Sequence, residues 1–239
     1  MLDHLSLAAA PDRVRAMIHP SAVVEPGAEL GTGVTVGPFC HVGPDVVLHD
    51  DVRLVSHVVV DGHTTIGQGA VLYPFCTVGL APQDLKYKGE PTRCEIGDSV
   101  VIANNVVMGG HVSIGDGAVV GGAAAIHQFV RIGRGAMIGG VSGVEADVIP
   151  FGSVIGNRAR LAGLNVIGLR RRGVDRSRLL TLRAAVRTLF WGGGVLADRM
   201  GLVRAEFGDD DLVAEVLDFA ATQSKRGLIR AGSSGDEAG

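Results

Sequence analysis

The side chains able to do acid–base or charge chemistry fall into three groups. Six of the eight histidines (His41, His49, His57, His63, His111 and His127) form the first. A neutral imidazole can take a proton from a substrate hydroxyl or hold that hydroxyl by a hydrogen bond. His111 and His127 lie in segments that begin at Met108 and Ile126, eighteen positions apart. They read either as a base and its neighbour in one cleft or as solvated turn histidines. The second group is Gln83, Asp84, Lys86, Tyr87, Lys88 and Arg93, a mixed-charge cluster suited to a sugar and a diphosphate, or to water. The third is basic: Arg170, Arg171, Arg172, Arg176 and Arg178. These arginines suit a diphosphate or an acidic carrier protein, or else an ordinary solvated helix entry. No three histidines share a position and a face, since His57 and His63 are six apart, so no metal site is expected.

The elements that must position these groups follow from a repeat. An aliphatic residue recurs every six positions from Ile18 to Val78, and again from Ile96 to Val144. Gly commonly follows it, as at Gly31, Gly37, Gly43, Gly115 and Gly133, and a small or β-branched residue sits four places on, as at Ala22, Ala70 and Ala136. A period of six fits neither the helical 3.6 nor the strand alternation of 2. It predicts a parallel β-helix with three hexads per coil, in which residues eighteen apart stack and each coil adds about 4.8 Å. The aliphatic column fills a narrow interior and Gly supplies backbone freedom. A narrow interior also accounts for only 7 Phe, 2 Tyr and 1 Trp among 239 residues.

Residues 80–95 break the hexads with two Pro and several charges, which predicts an excursion loop; such loops on a rigid scaffold often carry function. The organisation expected is an N-terminal extension over 1–17, a β-helix over 18–162, a helical domain over 163–230 and a disordered tail over 231–239. Helices are expected at 177–191 and 209–223, the second opened by Asp209–Asp211. Exposed aliphatics on the prism faces, including Val59, Val101, Val107 and Val119, predict a trimer.

Composition removes several classes. A formal net charge of −3 gives no basic field for nucleic acid. Three scattered cysteines make no disulfide framework and suit a reducing compartment. Neither a signal peptide nor a membrane span is expected, which makes the cytoplasm the expected location.

Several strings are more specific than the hexads: IHPSAVVEPGA (18–28), VGPFCHVGP (36–44), SHVVVDGHTTIG (56–67), QDLKYKGEPTRCEIGD (83–98), GGHVSIGD (109–116), AIHQFVRIG (125–133), GLNVIGLRRRG (163–173) and SKRGLIR (224–230). In these the sequence resembles the UDP-N-acetylglucosamine O-acyltransferases that open lipid A synthesis. The resemblance implies a left-handed parallel β-helix, a homotrimer with sites between subunits, and no cofactor. It implies transfer of a 3-hydroxyacyl chain from the 4'-phosphopantetheine thioester of acyl carrier protein to the 3-hydroxyl of UDP-N-acetylglucosamine. By the same resemblance Gln83, Asp84 and Lys86 help hold the nucleotide sugar, and Gly110 and His111 line the cleft. His127 and Gln128 lie deeper along the acyl groove, Gly140 helps set acyl length, and Asn165 and Arg171 lie near the nucleotide.

The sequence departs from that pattern in two places. The family's general-base histidine belongs to coils between the EIGD stretch and an ANN stretch. Here Glu95–Asp98 runs through five residues to Asn104, so roughly two coils are absent with that histidine. Ile167 also stands where the family often has a polar residue facing the nucleotide. Two function classes follow: an acyltransferase in which His111 supplies the base, or an inactive relative that binds nucleotide sugar, carrier protein or partner subunits.

Overall fold

The computed structural model describes residues 15–232 except Asp84 and Lys86. The hexads form a three-faced parallel β-solenoid. The first face runs from Met17–Ile18 to Gly152–Ile155, the second from Val23–Val24 to Gly143–Val144, and the third from Glu29–Leu30 to Arg131–Ile132. Partners on one face are eighteen apart, as in Ile18↔Val36 and Val42↔Val60. Across the excursion they are thirty apart, as in Leu72↔Ile102 and Ile66↔Ile96. The stack continues through the junction after EIGD with no missing layer: Glu95 pairs with Thr65 on one side and Ser113 on the other. Coil stacking depends only on register, so a prism short of whole coils still closes.

The repeating aliphatics point inward and are fully buried, among them Leu48, Leu54, Ile66, Leu72, Ile102, Ile132 and Ile138. The small column is buried beside them, as Ala70, Val112, Ala118 and Ala136 show. The glycine after the aliphatic commonly serves a different purpose from the one expected, Gly79 (φ 74°) being an exception. At Gly37 a Cβ would lie 1.8 Å from the Val55 carbonyl oxygen, so the residue is needed for close approach of coils rather than for an unusual φ. Left-handed backbone occurs two positions later, and there it is often held by non-glycine residues, including Phe39 (φ 58°), His57 (φ 51°), His111 (φ 60°) and Phe129 (φ 66°). Most aromatics in the prism are thus on its edges. Phe151 is the exception, buried where the last coil is capped.

The excursion is shorter than 80–95. Arg93–Ile96 is already a strand paired with His63–Ile66, because Cys94 and Ile96 point into the core.

Four helices follow the prism: α1 (Val166–Arg171), α2 (Arg176–Trp191), α3 (Leu196–Phe207) and α4 (Asp211–Ala221). Asp175 caps α2 by accepting from Arg178 N at 3.0 Å. Asp210 caps α4, accepting from Leu212 N at 2.9 Å, and pairs with Arg178 at 3.0 Å. Helix α3 was not legible from spacing, since within it only Val203 is fully buried and the apolar face is weak.

The chain end was expected to be a disordered tail from 231, and for its first two residues that is corrected. Leu161 N donates to Arg230 O, and Gly232 N donates to Leu161 O at 2.8 Å. Trp191 Nε1 donates to Gly232 O at 3.2 Å. These bonds satisfy a strand edge at the end of the prism. Residues 233–239 of the expected tail, like most of the 1–17 extension, lie outside the described residues. Among the described residues no helix is long and apolar enough to cross a membrane.

Candidate active site

The corner between the second and third faces carries most of the chemistry. Successive coils contribute residues 109–112 and 127–130 to it, and the excursion 79–92 leaves from the coil beneath. Together they enclose an open cleft of about 640 Å³ lined by Pro82, Gln83, Leu85, Gly109, Ile126, His127 and Gln128. Gln83, His127 and Gln128, picked out from sequence, therefore meet in one place. Gly110 packs directly on the base of the loop: a Cβ there would lie 2.8 Å from Thr92 Cγ2.

His111 stacks face to face on Phe129, with ring centroids 4.6 Å apart and planes 3° from parallel. The excursion loop also carries a carboxylate to which sequence gave no role. Glu90 sits in the loop with Oε2 accepting from Lys88 N at 2.8 Å, while its carbonyl accepts from Tyr87 OH at 2.8 Å. Hydrogen bonds from the Glu90 and Lys88 backbone hold its carboxyl below the usual range.

The chain end completes the corner. Lys225 Nζ lies 3.9 Å above the Phe129 ring, on a column that continues to His111. Arg226 Nε donates to Gln128 O at 2.8 Å, and its Nη2 bonds the His127 ring. Sequence reasoning gave no role to Glu90, Phe129, Lys225 or Arg226, although each lies in a string that carries the family resemblance.

The other expected site residues lie elsewhere. Gly140 is on the edge between the first and second faces, stacked above Gly122. Asn165 and Arg171 line a separate groove of about 440 Å³ on the first face, with Gly117, Val119, Met137 and Arg172. Asn165 is engaged there structurally: its Oδ1 caps α1 by accepting from Gly168 N at 2.9 Å, and its Nδ2 donates to Gly135 O at 3.0 Å. Arg172 donates to Gly117 O at 2.7 Å, and burial lowers its pKa, with the charge of Arg134 adding to that. Ile167 is exposed beside it. Asp84 and Lys86 lie outside the described residues. One chain thus holds two partial sites that face different ways. A larger groove of about 970 Å³, between the third face and α4, is crossed by the Arg134–Glu215 and Arg131–Asp147 ion pairs and serves packing. Among the described residues no three His, Cys, Asp or Glu side chains gather as a metal site would require.

Residues 147–229 match the family model described as Udp N-acetylglucosamine O-acyltransferase, Domain 2, and residues 27–62 match the bacterial transferase hexapeptide model. A relative from Rhizobium leguminosarum bv. trifolii, named as an acyl-carrier-protein–UDP-N-acetylglucosamine O-acyltransferase, is 40% identical over 89% of this chain and 94% of its own. One of the same name from Caulobacter vibrioides is 43% identical over 88% and 97%. The chain belongs to the UDP-N-acetylglucosamine O-acyltransferase family. The UDP-N-acetylglucosamine acyltransferase from Campylobacter jejuni, a solved structure, matches at 32% identity and a TM-score of 0.64, covering 90% of this chain and 100% of that one. Solved members are left-handed β-helices, and this chain shares that fold.

The alignments also measure the departure. With the Rhizobium relative, 256 positions are aligned but 89% of 239 residues is about 213, so about 43 positions have no counterpart in this member of the family. That length matches two coils of eighteen and a short loop. Between the third-face strand ending at Ile96 and the turn holding Asn104 and Asn105, this acyltransferase relative has only the strand Val101–Ile102.

Proposed function

We propose that the protein is an O-acyltransferase that moves a 3-hydroxyacyl chain from acyl carrier protein to the 3-hydroxyl of UDP-N-acetylglucosamine, the first step of lipid A synthesis. The observation that carries this reading is identity near 40% over nine tenths of the chain to relatives of that name. The cleft that joins Gln83, His127 and Gln128 supports it. In this reading His111 accepts the hydroxyl proton as the oxygen attacks the thioester carbonyl. The new C–O bond forms, the C–S bond breaks, and the proton passes to the leaving thiolate. No metal or further cofactor enters the step, and the thioester on the 4'-phosphopantetheine arm is the activated group.

The working unit in this reading is a homotrimer in the cytoplasm. The histidine corner and the Asn165–Arg171 groove point different ways on one chain, so a single site needs two subunits to supply them. Flat, partly apolar faces support the contact: Val23 and Val107 are about half exposed on the second face, and Val59 is partly so. The test is to incubate the protein with 3-hydroxyacyl carrier protein and UDP-N-acetylglucosamine and follow the product by mass spectrometry. An O-acylated sugar nucleotide is expected, and His111→Ala should slow its formation by about 10²-fold or more. No product at millimolar acceptor would overturn the reading.

A further inference from the structure

The cations at the chain end are not explained by the fold. Lys225 and Arg226 are adjacent, carry like charge, and turn onto one corner of the prism. Their partners there are neutral: the Phe129 ring face 3.9 Å from Lys225 Nζ, and the Gln128 carbonyl 2.8 Å from Arg226 Nε together with the His127 ring. Among the described residues, neither cation has a carboxylate in ion-pair range, whereas Arg131, Arg134 and Arg178 each have one. Two positive charges held together without a counter-charge raise each other's energy, and an anion between them removes that cost. Both are also preorganised. The aromatic face fixes the ammonium, and the carbonyl and imidazole fix the guanidinium.

We propose that Lys225 and Arg226 form a phosphate-binding subsite at the mouth of the cleft lined by Gln83 and His127. Phosphate suits the pair because its several oxygens accept from an ammonium and a guanidinium together. The Lys225–Phe129–His111 column sets direction: a ligand anchored by phosphate at the chain end runs along the corner toward His111. Within the acyltransferase reading, on which the choice of ligands rests, that phosphate belongs either to the sugar nucleotide or to the donor's pantetheine arm.

The test compares the intact protein with Lys225→Met, which keeps an apolar stem on Phe129, with Arg226→Gln, and with both together. Binding of pyrophosphate, UDP-N-acetylglucosamine, 4'-phosphopantetheine and pantetheine is measured by calorimetry, with melting temperature as the control for folding. About tenfold weaker binding of a phosphate-bearing probe is expected for each substitution, with pantetheine unaffected and the effect shrinking as salt rises. Weakening confined to UDP-N-acetylglucosamine assigns the subsite to the acceptor, and weakening confined to 4'-phosphopantetheine assigns it to the donor. If the intact protein binds none of the phosphate probes, or if folded variants bind them as well as it does, the subsite does not exist. Acyl transfer is scored separately. Turnover indifferent to both substitutions sinks the subsite and leaves the enzyme reading standing. Pyrophosphate binding lost in the double variant, with no turnover in the intact protein, does the reverse.

Discussion

Asp147→Ala should be among the most damaging single changes in the protein, and its cost can be worked from geometry. The Asp147 side chain is fully buried, while that of Arg131 keeps 23% of its exposure. One carboxylate oxygen accepts from Arg131 Nε at 2.8 Å and the other from Arg131 N at 2.9 Å. The same guanidinium donates to Phe219 O and Thr222 O at the end of α4 and lies 4.4 Å from the Phe219 ring centroid. Removing the carboxylate leaves a largely buried cation without its counter-charge and a backbone N–H without its acceptor. Breaking a buried pair from one side costs about 3–5 kcal/mol, and residual solvent at Arg131 puts this case near 3. For a chain of this size each kcal/mol moves the thermal midpoint by about 2–4 °C, which predicts a fall of about 6–12 °C. The assay is circular dichroism melting at fixed protein concentration. Arg131→Met with Asp147→Leu removes both charges and should fall less than Asp147→Ala alone. Asp147 also exchanges backbone bonds with Gly227 and Ile229, so amide exchange over 225–229 should quicken in Asp147→Ala. A midpoint within about 2 °C of the parent, or a double variant less stable than the single one, would refute the reasoning.

Three further outcomes follow from burial. Leu72→Ala opens a cavity in the middle of the prism, where the side chain is fully enclosed, and should cost about 2–5 kcal/mol by urea unfolding. Burial pushes the Cys76 and Cys94 thiols up to about 12 from 9.0, so both should resist thiol reagents until the protein unfolds. The unfolded chain loses those protons from about pH 9 while the folded one keeps them, so stability should decline between pH 9 and 12, and Cys94→Ala should flatten that decline.

The prism was legible because its information is local and repeated. Each hexad carries an inward aliphatic, a tight turn and a small residue, and stacking at eighteen residues follows from the period alone. The AIHQF and QDLKYKGEPTR strings likewise pointed to Gln83, His127 and Gln128, which do share a cleft. What the period could not carry is where non-repeating segments dock. Arg226 meets His127 across ninety-nine positions, and the base of the loop at Thr92 seats on Gly110. Those contacts depend on how many coils intervene and on where the chain returns after α4. No spacing encodes either. The separation of the histidine corner from the Asn165–Arg171 groove is also a tertiary result, since neighbours in a family motif list can stand on different faces of a prism. The sequence by itself determined a coil, its register and its tolerance of missing layers. Only the folded chain decided which charged groups meet at the cleft, because that depends on long-range packing rather than on the repeat.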